Sequence, residues 1–174
     1  RLEQYPHELS GGMRQRIIIA ISLLADPAII IADEPTTALD VTIQAEIMDL
    51  LQELCETDNM GLILITHDLG VVSQVTEKIA VMYAGRIIEF GSTDQVVHKP
   101  VHPYTQGLIA SIPGSMAPGE ALQQIPGMMP TLTDIPPGCA FNPRCDLKQD
   151  ICTRETPKLE KKSNGVMAAC HMKE

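Results

Sequence analysis

The chain has 174 residues, of which 44% are apolar and 20% charged, values typical of a single globular domain or of one domain with a small appendage. A disordered chain, a collagen-like repeat and a coiled coil are poor fits to this composition. Thirteen Lys and Arg against 22 Asp and Glu give a formal net charge of −9. This charge disfavours sequence-independent binding to nucleic acid or to anionic lipid. No apolar run approaches the roughly 20 residues needed to cross a bilayer, so we expect any membrane contact to be made through a partner.

The first predicted element is a helix over residues 13–24. Ser10, Gly11 and Gly12 precede it and can cap its amino end, where bare N–H groups and the positive end of the helix dipole favour an anion. The pattern places five apolar residues mostly on one face, namely Ile17, Ile18, Ala20, Ile21 and Leu24. A simple cap remains the alternative to a phosphate site.

Two short β-branched runs predict a pair of parallel strands. Residues 28–32 and 61–65 read as strands buried on both faces, and the intervening residues 41–55 predict a helix with apolar positions four or three apart. The apolar stripe of that helix comprises Ile43, Ile47, Leu50, Leu51 and Leu54. A strand, helix and strand at this spacing form a right-handed crossover unit. Ligands bind such sheets at the carboxyl ends of the strands, so we expect Asp33, Glu34 and His67 to share one edge.

Beyond this unit, residues 78–83 and 86–90 flank Ala84 and Gly85, which predicts an antiparallel hairpin. Pro and Gly become frequent after about residue 100 and interrupt regular elements. We therefore predict an α/β region followed by a loop-rich extension.

The polar residues at the predicted sheet edge suit phosphate chemistry. Asp33 could hold Mg²⁺ through water, and Glu34 could orient or deprotonate an attacking water. His67 could donate a hydrogen bond to a γ-phosphate oxygen. An acidic turn and a structural strand-end histidine are the alternatives for these residues.

Together these segments resemble the ATPase subunits of ABC transporters over roughly residues 1–92. Leu9 to Gly12 resembles the signature motif, Ile29 to Asp33 with Glu34 resembles Walker B and its catalytic Glu, and Ala38 to Asp40 resembles the D-loop. His67 resembles the switch histidine. Met13 replaces the usual Gln of the signature, although Gln15 follows two places on. The resemblance implies a carboxyl-terminal half of an ABC-type P-loop ATPase domain, with a parallel sheet flanked by helices.

Further segments resemble the peptide-importer branch of that family, including its dipeptide, oligopeptide, nickel and glutathione importers. They are Glu34 to Gln44, Val81 to Arg86 and His102 to Leu108, the last resembling the start of that branch's carboxyl-terminal extension. The resemblance implies domains at 1–92 and 93–174. It also implies that Ser10, Gly11, Gly12, Gln15 and Asp40 serve nucleotide binding, with Ser10 and Gly12 contacting ATP held by the opposite subunit of a dimer.

The family also implies the protein's partners and location. We expect a second ABC ATPase subunit, a distinct one or alternatively a second copy, together with transmembrane permease subunits, at the cytoplasmic face of a bacterial inner membrane. The expected cofactors are ATP and Mg²⁺. We expect no nucleic-acid partner. The transported substrate is set by other subunits.

One departure from the family bears on activity. No Gly-x-x-x-x-Gly-Lys-Ser/Thr loop occurs in the 174 residues, so the loop that cradles the β- and γ-phosphates is lacking. The chain opens without Met and inside a motif-like region, and we expect roughly 150 further residues upstream. This chain alone is therefore predicted to be inactive.

The loop-rich extension contains four of the five cysteines, Cys139, Cys145, Cys152 and Cys170. Their spacing lacks the close pairs of structural zinc sites, whereas iron–sulfur clusters tolerate varied spacing. The peptide-importer extension resembles this segment, and some relatives carry a four-iron four-sulfur cluster there. Zinc and unliganded or oxidised thiols remain alternatives. For the whole chain, a non-transport ABC ATPase and a non-catalytic metal- or cluster-binding module are the rival functions.

Overall fold

The computed structural model describes residues 3–112 and 124–172. The chain divides into two compact units between Asp68 and Leu69. The predicted hairpin at 78–90, which the sequence groups with the α/β region, belongs to the second unit. Within the described residues, none of the helices combines the length and the apolarity that a membrane crossing requires.

The first unit contains the predicted crossover. A short 3-10 helix, Pro6–Glu8, is followed by α1 (Gly11–Leu23), β1 (Ile29–Asp33), α2 (Val41–Thr57) and β2 (Gly61–Ile65). The strands are parallel, and their register runs from Ile29 opposite Gly61 to Asp33 opposite Ile65. The predicted strand, helix and strand are thus confirmed, to within a few residues at each end.

The buried face of α1 differs from the prediction. Ile19 and Gly12 are buried, whereas Ile17, Ile18 and Ile21 are largely exposed and Leu24 is 85% exposed. Apolar residues occupy consecutive positions from Ile17 to Ile21, so they extend round the helix and the pattern does not select one face. In α2 the predicted stripe is confirmed, with Ile47 and Leu51 buried together with Met48.

Only one face of β1 is buried, and the corresponding residues of β2, Leu62 and Leu64, are half-buried. Ile30 and Ala32 are buried, whereas Ile29 and Ile31 are 57% and 65% exposed. Ile63 and Ile65 of β2 are about half exposed as well. A continuous apolar run on a parallel strand predicts burial of both faces of the sheet. In this two-stranded sheet, other elements pack against only one face.

The second unit is built on an antiparallel sheet. It contains α3 (Leu69–Val75), β3 (Lys78–Tyr83), β4 (Arg86–Ser92), α4 (Thr93–His98) and α5 (Pro103–Ala110), then two 3-10 turns, Asn142–Arg144 and Asp150–Thr153, and the two-residue strands β5 (Glu160–Lys161) and β6 (Met167–Ala168). The strand order is β3-β4-β6-β5, with the predicted β3–β4 hairpin confirmed. The β5 strand therefore lies at one edge of the sheet.

The core of this unit joins the hairpin to the loop-rich extension. Tyr83 packs edge-on against Tyr104 and Phe141, with ring centroids 4.7 and 5.4 Å apart. The fully buried carboxylate of Glu89 accepts backbone N–H groups from Val101 and His102 at 2.7 and 3.0 Å. These bonds hold the start of α5 against β4.

Candidate functional site

The carboxyl ends of β1 and β2 meet at one edge, as the sequence predicted. The backbone N–H of Glu34 donates to the Ile65 carbonyl at 2.8 Å, which continues the strand pairing one residue beyond β1. Glu34 has a φ of +48°, in the left-handed region that costs a residue with a Cβ roughly 1–2 kcal/mol. The turn after β1 is therefore a sharp one, and it begins at an acidic residue.

Glu34 and His67 are in direct contact at this edge. The Nδ1 atom of His67 lies 2.8 Å from Oε1 and 3.0 Å from Oε2 of Glu34. Because an ionised carboxylate only accepts hydrogen bonds, Nδ1 carries the proton and donates it to Glu34. The hydroxyl of Thr37 donates to Oε2 at 3.0 Å. Two donors thus orient the carboxylate.

This pairing favours the charged form of both side chains. The hydrogen bond to His67 lowers the pKa of Glu34, against a smaller opposing effect of desolvation. The same bond to Glu34 raises the pKa of His67, with the negative charge of Glu34 as the next cause. His67 is 83% exposed at its side chain. Its Nε2 atom, which takes no part in the pair, is therefore available to another molecule.

Asp33 is the last residue of β1 and is exposed. Its carboxylate has neither a hydrogen-bond donor nor an ion-pair partner among residues 3–112 and 124–172. A solvated carboxylate next to Glu34 provides the hard oxygen ligand that Mg²⁺ prefers. The donor chemistry at this edge thus fits a magnesium ion held through water.

The glycine pair brings the start of α1 into contact with the start of α2. A Cβ placed on Gly12 would lie 2.5 Å from Cγ2 of Ile43, and one on Gly11 would lie 2.9 Å from Cδ2 of Leu39. The β-branched side chain of Ile43 cannot easily move away, so position 12 requires a glycine, whereas the flexible end of Leu39 can shift to admit a Cβ at position 11. Ser10 is exposed, and its Oγ caps α1 by accepting from Met13 N at 3.3 Å.

The other predicted nucleotide-binding residues lie near these helix starts. Asp40 caps α2, its Oδ1 accepting from Ile43 N at 3.0 Å. Gln15, one turn into α1, is half-buried. The structure gives Ser10 the capping role that the sequence left as an alternative, and it gives Asp40 a capping role that the sequence analysis did not predict. Capping leaves a hydroxyl or carboxylate able to take a second partner.

The four cysteines of the extension line one small cavity in the second unit. They share it with the imidazole of His102 and with Phe141. The backbone N–H of Cys139 donates to the Cys152 carbonyl at 2.8 Å, and Lys162 Nζ donates to the Cys170 carbonyl at 3.0 Å. All four thiols are free. Burial raises the pKa of Cys139, Cys145 and Cys170.

These cysteines do not form a preformed metal centre. Within the part of the chain that the structure describes, no three His, Cys, Asp or Glu side chains are grouped so that they could hold a metal ion. A zinc ion with bonds of about 2.3 Å to sulfur would need the four sulfurs about 3.8 Å apart. The four cysteines line one cavity, but their present side-chain positions suit neither zinc nor an iron–sulfur cluster.

Two residues at these sites were not selected from the sequence. Thr37 contacts Glu34 only because the turn after β1 folds back, and no periodic pattern reports such a turn. His102 is 1% exposed, its Nδ1 accepts from Tyr104 N at 3.1 Å, and burial lowers its pKa to about 4. The Pro at position 103, which begins α5, was the available signal that His102 is a helix cap.

Comparison with known proteins gives matches along most of the chain. A family model described as "ABC transporter" matches residues 1–37, and one described as "Oligopeptide/dipeptide transporter, C-terminal region" matches residues 88–152. The solved structure of CbiO1 from Clostridium perfringens, part of the ABC transporter complex cbiONQ, is 36% identical with a TM-score of 0.51. That similarity covers 53% of this chain and 37% of CbiO1.

Curated relatives are about half identical over almost all of the chain. The dipeptide transport ATP-binding protein DppD of Escherichia coli is 49% identical over 171 residues, which are 98% of this chain and 52% of DppD. The oligopeptide transport ATP-binding protein OppD of Escherichia coli is 51% identical over 170 residues, which are 98% of this chain and 50% of OppD. This chain therefore spans about half the length of the curated relatives it matches.

Proposed function

The chain belongs to the ATP-binding proteins of ABC transporters, and from this premise we propose that it is part of the ATP-hydrolysing subunit of an importer for dipeptides or oligopeptides. The observation that carries the proposal is the hydrogen-bonded pair of Glu34 and His67, placed beside Asp33 at the carboxyl edge of two parallel strands. Names of relatives that transport dipeptides and oligopeptides support the substrate class.

In this proposal each residue has a distinct part in the reaction. Because the pKa of Glu34 is lowered, its carboxylate is ionised near neutral pH and suits orienting an attacking water more than removing its proton. Since Nδ1 of His67 is engaged by Glu34, Nε2 is the ring nitrogen that would face the γ-phosphate. The raised pKa of His67 favours an N–H there, which would stabilise charge developing on the phosphate oxygens.

In this proposal a magnesium ion binds beside Asp33, at the carboxyl ends of β1 and β2. When bound, Mg²⁺ neutralises charge on the β- and γ-phosphate oxygens. Asp33 would hold the ion through water, since its carboxylate is solvated and without a partner among the described residues. Neither Glu34 nor His67 is needed as a ligand, so their hydrogen bond is compatible with an occupied site.

A second subunit supplies the other half of each nucleotide site in this proposal. The exposed Ser10 and the bare amides of Gly11 and Gly12 at the start of α1 would contact the γ-phosphate of ATP bound to the partner ATPase. Gln15 and Asp40, near the same helix starts, would support that contact. The partner is a distinct ATPase or a second copy, and the pair attaches to permease subunits at the cytoplasmic face of the membrane.

Two variants of the full-length protein test this division of roles. His67→Ala should lower the turnover number by about 10²–10³-fold, the usual cost of removing one hydrogen-bond donor to developing charge, with little change in ATP affinity. Asp33→Asn should raise the Mg²⁺ concentration needed for half-maximal hydrolysis. Glu46→Gln, which breaks the exposed Arg16–Glu46 pair, is the matched control and should leave both quantities unchanged. Unaltered turnover in His67→Ala would refute the role of the imidazole.

The 174 residues alone should bind ATP weakly and not hydrolyse it. They contain no loop of the kind that wraps the β- and γ-phosphates. Hydrolysis by the isolated 174-residue chain, lost on Glu34→Gln, would contradict this expectation.

We further propose that the four cysteines of the extension hold a four-iron four-sulfur cluster, with zinc as the alternative. The support is their convergence on one cavity, although the thiol side chains must turn to become ligands. Because burial raises the pKa of Cys139, Cys145 and Cys170, binding has to release protons and should become tighter as pH rises. Anaerobically purified protein should be brown and contain iron. A colourless protein with one zinc would select zinc, and a metal-free protein would refute both.

A further inference from the structure

A second cavity, of about 520 Å³, lies in the second unit and is separate from the phosphate edge. Its volume is in the range of sites that hold small ligands, roughly 300–1,000 Å³. The start of β4 and the segment 156–159 line it, and apolar side chains form most of its surface. Ile87 and Leu159 line it while remaining 43% and 36% exposed. Apolar surface of this kind is available to a ligand.

Two cations line the same cavity. Arg86 and Lys158 are exposed, and neither side chain has a hydrogen bond or an ion pair with any other described residue. Arg144, by contrast, donates to the carbonyl of Pro126 and to the hydroxyl of Tyr83. In a chain with net charge −9, two unneutralised cations beside apolar surface are complementary to an anion with an apolar body. Guanidinium and ammonium groups both bind carboxylates.

The backbone on one side of the cavity is also without partners. Residues 156–159 are not part of a helix or strand and lead into β5, the edge strand of the sheet. Pro157 has no backbone N–H to donate, and the backbone groups of Thr156, Lys158 and Leu159 make no hydrogen bond with the described chain outside the strand ladder. An extended peptide can pair with such an edge through its main chain while its side chains enter neighbouring pockets.

From these three features we infer that the cavity binds the carboxyl-terminal end of an extended, apolar peptide, with the terminal carboxylate between Arg86 and Lys158 and an apolar side chain against Ile87 and Leu159. Main-chain pairing at Lys158 and Leu159, next to the edge strand β5, favours a peptide over a compact anion. The inference does not depend on ATP hydrolysis, since every residue it uses lies in the second unit.

The test is calorimetric titration of the full-length protein with N-acetyl-Leu-Val-Leu bearing a free carboxylate, and with its carboxyl-terminal amide. The acid should bind saturably and the amide about tenfold or more weakly, as expected when a charge-assisted hydrogen bond is lost. The double substitution Arg86→Gln with Lys158→Gln should lower the affinity for the peptide acid to that for the amide. It should leave the affinity for the amide unchanged. Leu159→Ser should weaken both. Arg154→Gln removes an exposed cation that does not line the cavity and should change neither.

Equal affinities for acid and amide, or an acid affinity unaffected by the double substitution, would overturn the inference. So would absence of binding to the peptide acid by a protein whose far-ultraviolet circular dichroism is native. Saturable binding of decanoate without binding of the peptide would assign the cavity to a lipid-like anion and overturn the peptide assignment.

Discussion

Replacement of Gly138 by Ala should destabilise the cysteine-lined segment far more than the same change at Gly127. Both glycines have a left-handed backbone, with φ of +78° and +74°. A Cβ on Gly138 would overlap the carbonyl oxygen of Cys152 and lie 2.8 Å from the carbonyl carbon of Thr153. A Cβ on Gly127 would meet only the flexible side chain of Arg144, at 3.4 Å. Comparison of the two variants therefore separates the cost of a left-handed backbone, which both share, from the cost of steric overlap, which only Gly138→Ala has.

The magnitudes follow from these contacts. The left-handed backbone costs about 1–2 kcal/mol with a Cβ present, and this cost is common to both variants. Overlap with fixed backbone at Gly138 adds about 1–3 kcal/mol. Moving the Cys152 carbonyl also weakens the hydrogen bond it accepts from Cys139 N, worth about 1 kcal/mol. The Gly138→Ala protein should thus be about 2–4 kcal/mol less stable than Gly127→Ala.

Urea unfolding, followed by circular dichroism, measures this difference. Reaction of the thiols with an aromatic disulfide provides a local readout, because opening of the segment exposes Cys152, which is buried in the native protein. The Gly138→Ala protein should react faster than the Gly127→Ala protein at equal urea concentration. If the free energies of unfolding of the two variants differ by less than about 0.5 kcal/mol and their thiols react at the same rate, the close approach of Gly138 to residues 152–154 is incorrect.

Two further predictions concern the first unit. Asp40→Ala should cost about 1 kcal/mol of unfolding free energy because α2 loses its cap, whereas Asp40→Asn should change it by only a few tenths, as measured by thermal or urea denaturation. An equal loss in both variants would show that the charge, and not the cap, matters. An NMR titration should give His67 a pKa above the ordinary value for histidine, and Glu34→Gln should bring it back. Because the pKa of His67 is raised and that of Glu34 is lowered, the pair's contribution to stability is present between the two folded pKa values. It is lost as pH rises through the folded pKa of His67 and as pH falls through the folded pKa of Glu34. A His67 pKa unaffected by Glu34→Gln would contradict the contact.

The crossover unit could be predicted from the sequence because its signals are local. The runs at 28–32 and 61–65 are short and β-branched, and the stripe through Ile47 and Leu51 has helical spacing. Since parallel strands align their carboxyl ends, the shared edge of Asp33, Glu34 and His67 followed from topology alone.

The remaining features depend on contacts between residues distant in the sequence. The isoleucines of α1 surround the helix, so only its packing against α2 selects Ile19 as the buried one. The cysteine spacing is irregular, and turns at Gly138 and after Asp150 bring the thiols to one cavity. The exposed face of β1, carrying Ile29 and Ile31, could not be inferred because a run of apolar residues reports burial and not which elements supply it.

The most direct measurement of the central claim is ATP hydrolysis by the full-length protein carrying Glu34→Gln, with bound nucleotide quantified in the same sample. The loss of the carboxylate that His67 and Thr37 orient should reduce turnover by about 10²–10⁴-fold while ATP remains bound. Turnover within about twofold of the unmodified protein, with nucleotide bound normally, would show that this edge of the sheet does not act on the phosphate chain.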